Sequence, residues 1–172
     1  MSRNPRAPQS KSPPKQKVDS SVLVPIPNPL LLNAFGDPLM LQNYRFDQEL
    51  FEAFRNGTGE DIDKDDDRLV PLIHASVADA IESFIRSRNA QGRNLIVKSQ
   101  GDSDHIWDIG AVLKDHRGDD ELVLSRGDYR WLVQKAGELA FEAFPVDART
   151  FIDHLKAASE PSSDPPDDKP KE

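Results

Sequence analysis

Between Val22 and Met40 the chain reads VLVPIPNPLLLNAFGDPLM, an apolar stretch interrupted by prolines at 25, 27, 29 and 38. Each proline fixes its own φ, removes a backbone N–H and pushes the residue before it toward extended geometry. A helix is excluded, so Val22 to Pro29 is expected to run as an extended or polyproline-like segment. Such an apolar segment must be covered. Two coverings are open: Val22, Leu23, Ile26, Leu30, Leu31, Leu32 and Phe35 lie over the protein's own core, or they form a docking arm laid into a groove on another subunit or partner.

The flanks differ in charge. Residues 1–19 hold five cations, four prolines and no acid before Asp19, whereas residues 159–172 place Glu160, Asp164, Asp167, Asp168 and Glu172 among prolines. Neither stretch can bury enough apolar surface to offset its ordering entropy, so both are expected to be disordered, a basic arm and an acidic tail. This divides the chain into a basic arm (1–19), an extended apolar segment (20–42), a helical domain (43–158) and the acidic tail (159–172). With 30 acidic against 22 basic residues the net charge is -8, which argues against a general nucleic-acid binder. It leaves room for a local basic patch.

With no cysteine in the chain, a disulfide framework, a thiolate nucleophile and a cysteine-based zinc site are excluded, and a reducing cytoplasm is the simplest location. No apolar run approaches the roughly 20 residues of a membrane span. The amino-terminal residues lack the apolar stretch of a signal peptide.

From residue 43 the apolar spacing is mainly helical. Phe46, Leu50, Phe51 and Phe54 share one side of a short helix over 46–55, closed by Asn56 and Gly57, with the phenylalanines expected as core anchors. Ile73, Val77, Ala80, Ile81, Phe84 and Ile85 mark a helix between Pro71 and about Arg88, begun either by Pro71 or by Ser76 with Asp79 three residues on. Ile106, Ile109, Val112 and Leu113 suggest a helix behind Asp104 that ends before Gly118. Ser125 and Asp128 form a capping-box variant, with Leu124 and Tyr129 as a hydrophobic staple, opening a helix to about Phe144; Pro145 ends it. A last helix over 148–158 carries Phe151, Ile152 and Leu155 and completes a helical hairpin. The β-branched run Leu95–Lys98 and the segment Glu121–Leu124 are expected to make at most one two-stranded pairing. The fold class that follows is mainly α, a small domain of about five helices.

The motifs that resemble chemistry fail on detail. Arg126-Gly127-Asp128 spells an adhesion tripeptide but falls in a helix's first turn. Asp61, Asp63 and Asp65 open like a calcium loop, yet Asp66 stands where that loop needs glycine and Leu72 where it needs a bidentate glutamate. Asp102, Asp104, His105 and Asp108 offer a single nitrogen among carboxylates, a poor metal set. Gly57-Thr58-Gly59 lacks the lysine of a phosphate loop. No catalytic residue, metal or cofactor is therefore assigned. Arg86, Arg88 and Arg93 make a small basic cluster suited to phosphate, though cations at a helix end also complement its dipole.

The segment ELVLSRGDYRWL, the apolar helix after it, the Phe144-Pro145 turn and FIDHLKAA resemble the ends of small accessory proteins from the tail-gene clusters of long-tailed bacteriophages, some of them tail assembly chaperones; a looser likeness covers Pro29 to Phe54. The resemblance implies a small, largely helical, non-catalytic protein that shields or places another tail protein such as the tape measure or tube subunit, in the host cytoplasm or the virion. Together with the arm it points to an assembly factor or adaptor that binds other structural proteins and self-associates. The alternative is a nucleic-acid-associated regulator using the basic arm and Arg86, Arg88 and Arg93.

Overall fold

The computed structural model describes residues 22–58 and 62–158; the basic arm and the acidic tail lie outside the described residues. The proline-stepped segment becomes strand β1 (Leu23–Pro27), antiparallel to β4 (Glu121–Ser125), with Val24 opposite Leu124 and Ile26 opposite Leu122. The proline spacing of two matches the strand period. Val24 and Ile26 turn inward and are fully buried, while Pro25 and Pro27 take the other face. Backbone bonds from Asn28 N to Asp120 O (2.8 Å) and from Arg126 N to Val22 O (2.8 Å) extend the ladder at the even positions of the strand. The missing proline N–H groups thus fall where an antiparallel strand points away from its neighbour, the arrangement that an edge strand tolerates.

A second small sheet pairs β2 (Met40–Gln42) with β3 (Leu72–His74). The single pairing expected between 95–98 and 121–124 is therefore corrected to two sheets built on the arm. Leu95–Lys98 is not a strand. The Asn94 side-chain oxygen accepts from the amides of Ile96 (2.8 Å) and Val97 (3.0 Å), and the Lys98 amide donates to Asp102 Oδ2 (2.9 Å), so side chains take the donors a ladder would need.

Five helices complete the described chain: α1 (Gln48–Arg55), α2 (Val77–Arg86), α3 (Gln100–His116), α4 (Arg126–Ala143) and α5 (Ala148–Lys156). Their starts follow side-chain caps. Asp47 caps α1, Ser99 caps α3, and Ser125 accepts from the Asp128 amide to open α4. Ser76 and Asp79 form a full capping box on α2, so that helix starts after β3 and not at Pro71. Helix α3 begins four residues before the expected cap Asp104, because Ser99 and not Asp104 meets its first free amides. No α1 residue is buried, and its phenylalanines are not core anchors: Phe46 instead staples onto Phe51, ring centroids 5.7 Å apart.

The core lies where α2, α4 and α5 meet β1 and β4. Phe84 of α2 packs against Phe151 of α5 (5.4 Å) and Phe144 of the α4–α5 turn (6.4 Å). Tyr129 donates its hydroxyl to the Leu155 carbonyl (3.0 Å), pinning the end of α5 to the start of α4. Polar residues join elements that hydrophobic packing alone would leave free to slide. Asn28 donates to the carbonyls of Arg117 (3.0 Å) and Asp119 (2.9 Å) after α3 and accepts from the Ala78 amide (2.8 Å) at the start of α2. Buried Asn43 donates to the carbonyls of Asp67 (2.7 Å) and Val70 (2.8 Å), bracing a 3-10 turn over Asp67–Leu69.

Asp102, in the first turn of α3, is 6% exposed and accepts from Trp131 Nε1 (2.9 Å) and Lys135 Nζ (2.9 Å) of α4. The Trp131 indole holds this carboxyl far below its usual range against the opposing effect of burial, helped by Lys135, the Lys98 amide and Ser99. A depressed native pKa means that the stabilisation is complete above the unfolded value near 4 and lost as pH falls below it. Asp102→Asn should therefore lower stability at pH 7 by about 2 kcal/mol, and the gap between wild type and variant in urea unfolding should narrow as pH is lowered from 6 toward 3. Gly137 sits inside α4, and a Cβ built there meets no atom within 4 Å. Gly137→Ala should raise the unfolding free energy by about 0.5–1 kcal/mol in the same assay.

Candidate functional site

The structure divides the arm residues between inside and outside. Ile26 and Leu31 are fully buried and Val22 is half-buried, whereas Leu23, Leu30, Leu32 and Phe35 are exposed. For Ile26 and Leu31 the docking arm is corrected: they belong to the chain's own core, Ile26 because the strand period turns it inward with Val24, and Leu31 because its backbone is tied to Ala75 and Leu39. The most exposed of the arm residues is Phe35, at 82%. Its loop is tightly tied. Asn33 Oδ1 accepts from the amides of Phe35 (2.9 Å) and Asp37 (3.0 Å), the Gly36 amide donates to the Asn33 carbonyl (3.0 Å), and Leu32 bridges to Pro38. Gly36 supplies the turn with φ of +85°, a value that side-chain-bearing residues rarely adopt.

The Ala34 amide donates to Asp147 Oδ1 (3.1 Å) across the start of α5. That bond places Phe35 at the same end of the molecule as exposed Val146, with exposed Phe141 in the last turn of α4. It also explains why Asp147 precedes α5 without capping it. Periodicity could not find Val146, because a residue after a helix-ending proline belongs to neither helical stripe.

A second surface is a cleft of about 1110 Å³ between α2 and α3, closed on one side by Tyr44 and Arg45. Five of its lining side chains are cationic and two are carboxylates. Arg86 and Arg88 reach it, as the phosphate reading requires, but exposed Arg93 is not among its lining residues; the partners that join them are Arg45, Lys114 and Arg117. Arg117 at the end of α3 holds α2, bonding Asp79 Oδ1 (2.6 Å) and, more closely, Glu82 Oε2. Burial works against its charge, yet the hydrogen bonds and charges of Glu82 and Asp79 raise its pKa above the ordinary value. Glu82 also bridges Arg86 (2.8 Å), whose guanidinium lies 5.2 Å from the centre of the Tyr44 ring.

The remaining motifs have structural employment. Asp128 of the Arg-Gly-Asp sequence is buried, bonded to His105 Nδ1 (2.7 Å) and to the Ser125 hydroxyl. His105 stacks on Trp131 at 5.1 Å. Asp61 lies outside the described residues, and Asp63 accepts from the Asp65 amide (3.0 Å) in a local turn. Among the described residues no helix is long and apolar enough to cross a membrane.

No protein-family model, curated protein or solved structure matches this chain.

The Arg117 network yields a direct test. Removing the guanidinium leaves nearly buried Asp79 without an ion-pair partner and Glu82 with Arg86 alone, so Arg117→Leu should cost about 3 kcal/mol of stability, measured by urea unfolding. Arg86→Leu, whose side chain is more than half exposed, should cost less than about 1 kcal/mol.

Proposed function

We propose that this chain is a non-catalytic assembly factor or adaptor that docks onto another structural protein through the Phe35 end. The observation that carries the reading is an aromatic ring 82% exposed on a loop fixed by its own hydrogen bonds. An exposed apolar side chain on a mobile loop would lose rotational freedom on binding; one on a tied loop loses little, so it serves as an anchor at low entropic cost. Val146 adds an exposed apolar side chain next to Asp147, which binds the loop, and Asp37 and Asp147 supply polar groups beside it. The resemblance of residues 121–158 to accessory proteins of phage tail-gene clusters suggests a tail protein, such as the tape measure or tube subunit, as the partner class. The lack of cysteine accords with action in a reducing cytoplasm.

The test compares the full chain with the double variant Phe35→Ser, Val146→Ser in the cells that produce it. Proteins cross-linked to each are identified by mass spectrometry, and self-association is followed by sedimentation velocity. Wild type should retain one defined structural protein that the variant loses by at least about tenfold, with an unchanged melting temperature, since neither side chain is part of the core. Equal recovery by both, or a wild-type chain that stays monomeric and partnerless, would end this reading.

A further inference from the structure

Trp107 is 80% exposed on α3, whereas the chain's other tryptophan, Trp131, is 9% exposed. A groove of about 510 Å³ runs past Trp107 and Val97 and shares Asn94, Ile106, Gly110 and Lys114 with the cationic cleft, so the two form one continuous channel. Gly110 lines both, and an added Cβ there would meet nothing within 4 Å. Trp107 and Lys114 are seven residues apart on α3. They therefore share a helix face, about 10 Å from each other along the axis. Asp79 and Glu82 are already matched by Arg117 and Arg86, while Lys114 makes no ion pair among the described residues and Arg88 bonds only the Gly92 carbonyl (2.7 Å). Uncompensated positive charge thus collects in one channel of a chain whose net charge is -8.

We propose that this channel binds a short single strand of nucleic acid, with a base stacked on Trp107 and flanking phosphates on Lys114 and Arg88. The pairing of an open aromatic face with cations along one track is the arrangement that holds unpaired nucleotides. A duplex presents phosphates but keeps its bases stacked inside, so it could use the cations and not the indole. Asn94 spends its side-chain amide on the Ile85 carbonyl and its oxygen on the amides of Ile96 and Val97. It is not free to read a base edge, and binding should be indifferent to sequence. The surrounding negative charge confines the footprint to a few nucleotides.

The experiment titrates the full chain with a labelled oligothymidylate of about ten nucleotides, reading anisotropy and intrinsic tryptophan emission at low salt. Binding should quench the exposed tryptophan. Trp107→Ala should abolish the quench and weaken binding about tenfold, Lys114→Glu should weaken it at least as much, and circular dichroism should be unchanged in both. The log–log salt slope should be about -1.4, the value for two phosphates on a single strand. Four results would each overturn the proposal: no binding at low salt, a matching duplex that binds as tightly, displacement by polyglutamate or inorganic phosphate at equal charge, or wild-type affinity in both variants. The last would assign binding to the cations between Arg3 and Lys17. Loss of oligonucleotide binding in these variants leaves docking at the Phe35 end untouched, so the two proposals fail separately.

Discussion

The pairing of β1 with β4 is the constraint on which the rest of the fold depends, because it joins residues about a hundred positions apart and sets the ends of three helices at once. The arm that enters β1 leaves it through Asn28, which is bonded both to the chain after α3 and to the first turn of α2. Three residues on, the Leu31 amide donates to the Ala75 carbonyl (2.8 Å) and the Leu31 carbonyl accepts from His74 Nε2 (2.8 Å). The arm is thus a strut whose backbone groups are satisfied by several elements, as burial demands. Closing so long a loop is entropically costly and slow. The core can be completed only when both ends of the described chain are present.

Local chemistry made parts of this legible. The proline spacing at 25, 27 and 29 announced extended chain, and the capping pairs Ser76/Asp79 and Ser125/Asp128 announced helix starts that the structure places at those residues. The failures share a cause. Leu95–Lys98 has strand composition, but Asn94 and Asp102 capture its amides, and competition between side chain and ladder is invisible to hydropathy. The phenylalanines of α1 have helical spacing, yet a stripe shows only that a face is apolar and not that anything covers it. Among the described residues five helices stand as expected, with two small sheets where at most one was anticipated.

The two candidate surfaces were unequally visible. Phe35 lay within the segment singled out by its apolar character, whereas Val146 joins it only through the contact between Ala34 and Asp147. Arg86 and Arg88 were apparent as a cluster. Their companions Arg45, Lys114 and Arg117 come from distant positions that a helix packing brings together. Trp107 gave no signal, since a tryptophan within a helical pattern is more often core than surface.

The prolines of β1 have one more consequence. The outer edge of a two-stranded sheet is ordinarily a template onto which another extended chain can add by backbone pairing, and such additions lead to runaway polymers as readily as to defined complexes. Pro25 and Pro27 take two donors away from the β1 edge. Growth by strand addition along β1 is hindered, so a contact made through that edge depends on side-chain shape and charge, which can be matched to one partner.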